Sequence, residues 1–513
     1  YHGWYTEWPR IRRVDDDLLL MNMHGMFYRF PASFSNGRTG GIEPLAFHLK
    51  MVVDYCNWQG RIVCGCDDAS QFDNPLVGQA QSNLWFVERP ELDGLGREEG
   101  WGGPWVRDDL EAGAMSDPFL FGGFDRRVLH LSHDSHHSVT FALEVDQNGS
   151  GRWETYKSLK VPAKSYRYHI FPTEMNAQWI RLRAWDEARE ATAYFHYSEA
   201  SHPGENTEGE MFQSLARIGS DAPMCGGIIR PRGADLGTLQ YVARKAEEHD
   251  EVKEIQYHAG PDVELERFDN PEAAEWFKER GDTENFDFET DEASVILTEK
   301  GQSYRLPRSH EAYDEPFEVG YPRGKREVVT ERSLWNCHGT FYEVPRYSAG
   351  GLARMRPVCT HNRRITDFCS WRGLLVIAGT KVDAAEDGHF FRSTDGEAGL
   401  WFGTVDDLWK LGKPRGQGGP WMETEVEPGN PSDPYLMTGY DRKTLTLRHN
   451  ADSRVKFTIE VDVLADDTWQ TYDAFIVSPG ETVTHRFPTG YSAHWVRSKV
   501  DTRCRATVQL TYR

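Results

Sequence analysis

Apolar and polar residues alternate with a period of two over many short stretches of this chain, the pattern of half-buried β-strands. Val139, Phe141, Leu143 and Val145 alternate with Thr140, Ala142, Glu144 and Asp146. Val455, Phe457, Ile459 and Val461 alternate likewise with Lys456, Thr458, Glu460 and Asp462. Turn signals such as Gln147-Asn148-Gly149-Ser150-Gly151, Asp93-Gly94 and Asp395-Gly396 separate such runs. One helix is predicted. Asn270 caps it, Pro271 opens it, Glu272 and Glu275 complement its positive end, and Gly281 stops it behind Lys278 and Arg280. A weaker helical pattern covers Ala234 to Asp250.

The strand patterns belong to an internal duplication. Leu84-Trp85-Phe86 returns as Leu400-Trp401-Phe402, an offset of 316. Gly102-Gly103-Pro104-Trp105 and Ser116-Asp117-Pro118 return at the same offset as Gly418-Gly419-Pro420-Trp421 and Ser432-Asp433-Pro434. Upstream, with small indels, His24-Gly25-Met26-Phe27-Tyr28 corresponds to His338-Gly339-Thr340-Phe341-Tyr342. The run from His48 through Asp54 to Trp58 corresponds to His361 through Asp367 to Trp371. The copies span 19–198 and 331–513, around a divergent centre at 199–330. Short strands with Gly- and Asn-rich turns, repeated in tandem, predict an all-β chain. A single β-propeller over 1–513 with seven blades is favoured, because radial blades leave no long edges. Tandem β-sandwiches are the alternative.

Composition narrows the function. Acidic residues number 80 against 58 Lys plus Arg, a net charge of −22. That balance disfavours a nucleic-acid or anionic-membrane binder, yet leaves room for a local basic pocket. The mean hydropathy is −0.64, and no run approaches the ~18 apolar residues of a spanning helix. Aromatics at 12%, with 17 Trp, argue against disorder and offer stacking faces for sugars. The chain opens at Tyr1 without a leader and reads as a mature or trimmed form, secreted or periplasmic. Its eight Cys form no CxxC pair and read as buried free thiols.

Nucleotide-loop, zincin and nucleophile-elbow motifs are absent from the sequence. The doubled Gly-Gly-Pro-Trp and Ser-Asp-Pro segments read as structural turns. His24 and His338, each before a Gly, suit either acid–base work or the locking of adjacent strands. His48 and His361, each six residues before an Asp, carry the same two readings. Only the second copy has Arg363 and Arg364, and an insertion there adds His389 and Arg392, placed to rim a functional face. Trp4 and Tyr5 suit a sugar subsite or closure of the ring. Cys337-His338 and Cys359-Thr360-His361 have zinc-ligand types without zinc-finger spacing. No metal is therefore assigned and no cofactor is required, with a structural calcium or zinc left open. The His130, His133, His136 and His137 run reads as a strand running into a polar, solvated turn rather than as a metal box.

The paired His-Gly-(Met/Thr)-Phe-Tyr segments, the size and the Trp-rich repeats resemble the seven-bladed β-propeller polysaccharide lyases and glycosidases. Those enzymes act on rhamnose–glucuronate linkages of the ulvan or gum-arabic type. The resemblance implies His338, His361 and Tyr342, with His24, His48 and Tyr28, as acid–base groups. It implies Arg363 as the neutraliser of a uronate carboxylate, with Arg364 beside it. The expected activity is β-elimination on an acidic polysaccharide or oligosaccharide. Hydrolysis by paired carboxylates, or glycan binding without turnover, are the alternatives. No nucleic-acid or membrane partner is expected.

Overall fold

A computed structural model describes residues 9–69, 80–200, 209–232, 237–246, 251–281, 283–330 and 332–513. Trp4 and Tyr5 lie outside the described residues. The chain is all-β, built from antiparallel sheets, and the predicted helix forms over Pro271–Gly281 with Asn270 Oδ1 accepting from Ala273 N at 3.0 Å.

Five small sheets pair strands that are near neighbours in sequence. Sheet I holds Arg10–Arg13, Leu19–Met23, Met26–Phe30 and Glu43–Phe47. Sheet II holds Val52–Trp58, Arg61–Ala69 and Ala80–Val87. Sheet III holds Met224–Arg232, Thr238–Ala246, Val252–Ala259 and Leu265–Arg267, and is joined at the Met224–Arg232 edge by the sequence-distant Thr380–Lys381. Sheet IV holds Lys325–Val329, Arg332–Cys337, Thr340–Pro345 and Arg356–Thr360. Sheet V holds Asp367–Trp371, Leu374–Ala378, Gly399–Gly403 and, outermost, Phe390–Arg392. Sheet II packs on I through Tyr55, Cys64 and Trp85, and V packs on III through Trp371, Val376 and Phe402. Strand Lys325–Val329 of sheet IV touches both II and V.

Two-residue hairpin loops recur, with positive φ at both positions: His24 (52°) and Gly25 (79°), Gln59 (52°) and Gly60 (83°), His338 (50°) and Gly339 (75°), Arg372 (54°) and Gly373 (83°). These are type I′ geometries, which match the twist of the flanking strands. Gln59 and Arg372 occupy the slot that His24 and His338 fill, so the turn itself does not demand histidine.

Residues 100–198 and 416–512 build β-sandwiches. In the first, Gly100–Leu110, Ala188–Ser198, Arg126–Ser132 and Tyr166–Ile170 lie side by side in one sheet. Phe119–Leu120, Trp179–Ala184, Val139–Asp146 and Glu154–Val161 form the other. Taken along the chain, this is the jelly-roll order. The faces meet through Trp105 on Phe141 (6.2 Å between centroids) and Phe119 stacked on Phe195 (5.1 Å). The second sandwich repeats these eight strands, Gly416–Val426, Cys504–Tyr512, Lys443–His449 and Val483–Arg486 against Tyr435–Leu436, Trp495–Val500, Val455–Asp462 and Trp469–Val477, and its second sheet is extended beyond Tyr435–Leu436 by Gln302–Leu306, Val295–Glu299 and Glu289–Thr290. These segments, expected as blades, instead pair non-locally; Trp179–Ala184, for example, lies between Val139–Asp146 and Phe119–Leu120.

Two local expectations change. Gly-Gly-Pro-Trp is no turn: it lies inside a long strand where the register slips. A Cβ at Gly103 would stand 1.9 Å from Ala193 O, and one at Gly419 2.0 Å from Val508 O, so backbone proximity requires glycine at both. The helical pattern at 234–250 gives a strand, Thr238–Ala246. Its Leu239, Tyr241 and Ala243 face sheet V while Val242 faces Phe277 of the helix, so both sides are apolar and the period is masked. The Ser-Asp-Pro segments are structural in both copies, Ser116 Oγ accepting from Leu182 N (3.0 Å) and Ser432 Oγ from Ser498 N (3.1 Å).

Candidate functional site

The two jelly rolls meet sheets I and IV around a cleft with two chambers. The larger, 740 Å³, is mainly apolar and is lined by Met21, Tyr28, Phe47, Phe119 and Phe124, with His24 exposed at its edge. The smaller, 250 Å³, is the more polar of the two and runs between the jelly rolls. Glu99, Trp101, Tyr197, Glu343 and Arg356 line both.

Arg356 organises the shared wall. Its Nη2 is 2.6 Å from Glu343 Oε2 and its Nη1 3.7 Å from Glu99 Oε2. Its guanidinium lies 4.1 Å from the ring centroid of Trp101, an indole 46% exposed. Arg332 completes the clamp on Glu343 at 3.1 Å. Burial pulls the Glu343 carboxyl up, but the guanidiniums of Arg356 and Arg332 together hold it below the usual carboxylate range.

Arg97 organises the polar chamber. Buried, it reaches Asp441 (2.7 Å), Glu99 (3.1 Å) and Glu199 (3.6 Å) and donates to Gly439 O (2.6 Å). Lys413, its counterpart in the second copy, also reaches Asp441, at 2.9 Å. Burial pushes the Glu199 carboxyl up to about 8 despite Arg97. Burial likewise brings the Lys443 amine down to about 8, its Nζ donating to Tyr440 O and Tyr491 O at 2.5 and 3.0 Å. Arg97, Arg126, Arg354, Arg356 and Lys443 line this chamber against Glu99, Glu343 and Asp441, five cations to three carboxylates.

The residues singled out from the sequence do not converge here, with two exceptions. His24 and Tyr28 both line the apolar chamber, and burial pushes the Tyr28 hydroxyl up to about 12. His48 and His361 are locking residues. Their Nε2 atoms stand 3.0 Å from Asn22 Oδ1 and 3.1 Å from Asn336 Oδ1, the same contact in each copy, and burial brings both imidazoles down to about 3. His338 faces a void of only 10 Å³; its Nδ1 accepts from Ser309 N and its Nε2 meets Asp314 Oδ1 at 3.2 Å. Tyr342 is wholly buried beside Tyr440.

Arg363 is 1% exposed and donates to Leu215 O at 3.2 Å, so it cannot reach a carboxylate in solution. Arg364 pairs with Glu318 at 3.3 Å. Arg392 donates to Val382 O and Ala384 O, and His389 stands 2.9 Å from Phe402 O over Trp401; both brace the inserted loop. Cys337 and Cys359 lie in separate hydrophobic clusters, so no Cys/His set assembles, and no metal-holding group of three occurs among the described residues. All eight Cys are free and only Cys56 is exposed. His130 lies in the strand Arg126–Ser132, and His136 and His137 are exposed in the turn beyond it; His130 and His133 are buried, against Tyr166 OH and Val161 O respectively.

Sequence reasoning missed Arg97, Glu99, Trp101, Glu343 and Arg356. The usable signal was disagreement between the copies. Trp101 stands where the second copy has Gln417, Glu99 where it has Arg415, and Glu343 where the first has Arg29.

No family model and no curated protein matches the chain. Among solved structures, the PBSX exported protein XepA is similar at 8% identity over 80% of this chain and 86% of its own, with a TM-score of 0.17. A point mutant of Bacillus subtilis oxalate decarboxylase OxdC matches at 9% over 93% and 79%, with a TM-score of 0.15. Bombyx mori GH32 beta-fructofuranosidase BmSUC1 matches at 9% over 89% of each chain, with a TM-score of 0.11. Likenesses this distant carry no argument about fold or function.

Proposed function

We propose that the protein binds an acidic saccharide in this cleft. The observation that carries the reading is the excess of cations in the polar chamber, five against three, in a chain whose net charge is −22. Trp101 offers an exposed aromatic face to a sugar ring, and Arg356 and Arg354 offer planar donors to a carboxylate. The five small sheets act, in this reading, as blades of a propeller-like core that carries the two jelly rolls. A uronate-containing glycan in a secreted or periplasmic setting is the ligand class, as in the lyases and glycosidases the sequence resembles.

Cleavage of that ligand is the second reading. What favours it is that His24 and Tyr28 line the adjoining chamber, two groups of the types an elimination uses as base and acid. A base removes the C5 proton, an arginine holds the uronate carboxylate, and an acid protonates the departing oxygen. Glu99 and Glu343, on the shared wall, are the carboxylates that a hydrolytic route would use.

Titration with a panel of uronate-containing and neutral glycans, followed by mass spectrometry of the digests, tests both readings. Uronate-selective binding with intact glycan supports a binding protein. An unsaturated product, one water lighter than the hydrolytic one, supports a lyase. No binding to any uronate glycan would sink the proposal.

A further inference from the structure

The duplication supplies an internal comparison for sheets II and V. In sheet V, Cys369, Val376 and Phe402 form one cross-strand row, with Trp371 and Leu400 on the same face. All five are buried, at 3% exposure or less, against sheet III. In sheet II the same register brings Cys56, Val63 and Phe86 into a row, with Trp58 and Leu84 beside them. Here Trp58 is 53% exposed, Leu84 63% and Phe86 43%, and Cys56 is exposed too. Val63, at the centre of the row, is 8% exposed, and the Trp58 and Phe86 rings on either side meet edge-on at 6.1 Å. Among the described residues the first copy thus has no sheet over the apolar face that the second copy buries.

Among the described residues there is no spare sheet III for that face, because the one present is covered by sheet V on one side and by Phe277 of the helix on the other. The rim of the bare face is charge-balanced. Arg12 pairs with Asp54 at 2.9 Å and Arg61 with Glu88 at 2.7 Å, all four side chains 44% exposed or more. In a chain of net charge −22, a neutral apolar patch is where two like molecules can approach with least repulsion. We propose that the Cys56, Trp58, Leu84 and Phe86 face of sheet II docks on the same face of a second copy of this chain, giving an isologous homodimer.

Sedimentation velocity of the full chain from about 1 to about 100 μM tests this. The expected result is a species of twice the chain mass that dissociates on dilution, and Leu84→Asp or Phe86→Asp variants that stay monomeric while keeping the wild-type circular dichroism. Maleimide labelling of Cys56 gives a second readout, slowing at least ten-fold in the dimer and unaffected by concentration in the variants. A wild-type monomer throughout the range, or a dimer that survives both Asp substitutions, would overturn the proposal. So would a labelling rate independent of concentration.

Discussion

Glu343 and Arg356 face each other across adjacent strands of sheet IV with 2.6 Å between Oε2 and Nη2, and in the first copy the same two positions hold Arg29 and Glu43, with the charges exchanged. The first-copy pair is loose, at 3.6 Å, and exposed; the second-copy pair is buried in the cleft wall. One strand register thus supports an ion pair of either polarity, and the polarity in sheet IV puts a guanidinium over Trp101.

Because Glu343 is buried, removing Arg356 leaves its carboxylate compensated by Arg332 alone. Arg356→Ala should destabilise the fold by about 3 kcal/mol, read as a lower urea midpoint. Arg29→Ala, at the equivalent exposed pair, should cost no more than ~1 kcal/mol. Equal costs would mean that the clamp on Glu343 has no special role.

Glu199 gives a pH dependence of known sign. Burial raises its folded carboxyl to about 8, so between the usual carboxylate range and pH 8 the folded state keeps a proton that the unfolded chain releases. Its contribution to stability therefore falls as pH rises through that window. Glu199→Gln should have a melting temperature above wild type by a few degrees at pH 8, with the gap closing toward pH 4. A gap that widens on acidification would contradict the assignment.

The histidines should separate cleanly. His361→Ala should cost about 1–3 kcal/mol through the lost Asn336 contact, with glycan affinity unchanged. His338→Asn, which suits a positive-φ turn, should leave affinity unchanged as well. A large loss of affinity in a variant of unchanged stability would return these residues to the site.

Trp101→Ala should weaken glycan binding about ten-fold while costing about 1 kcal/mol of stability, since the half-exposed indole also carries the Arg356 guanidinium. Calorimetric titration alongside thermal melts checks both numbers.

Much of the fold was legible in the sequence, and much of the site was not. Alternation from Val139 to Val145 and from Val455 to Val461 marked the strands, and the 316-residue offset marked a duplicated unit, though one read as propeller blades rather than as a jelly roll. Alternation has the same period in a hairpin sheet and in a sandwich, however, so it could not reveal that Trp179–Ala184 would pair with Phe119–Leu120. His338, His361 and Arg363 looked functional because their chemistry is versatile, but burial decides whether a side chain meets solvent, and burial is set by packing between distant segments. Arg97 and Asp441 are 344 residues apart and meet only once the halves fold together.

The most direct measurement is the affinity of the wild-type protein and Arg356→Ala for one uronate oligosaccharide and for its carboxyl-reduced, neutral counterpart. The account predicts that wild type prefers the acidic glycan by at least ten-fold, and that Arg356→Ala loses most of that preference while still folding. Equal affinities of wild type for the two glycans, or an unchanged preference in Arg356→Ala, would contradict it.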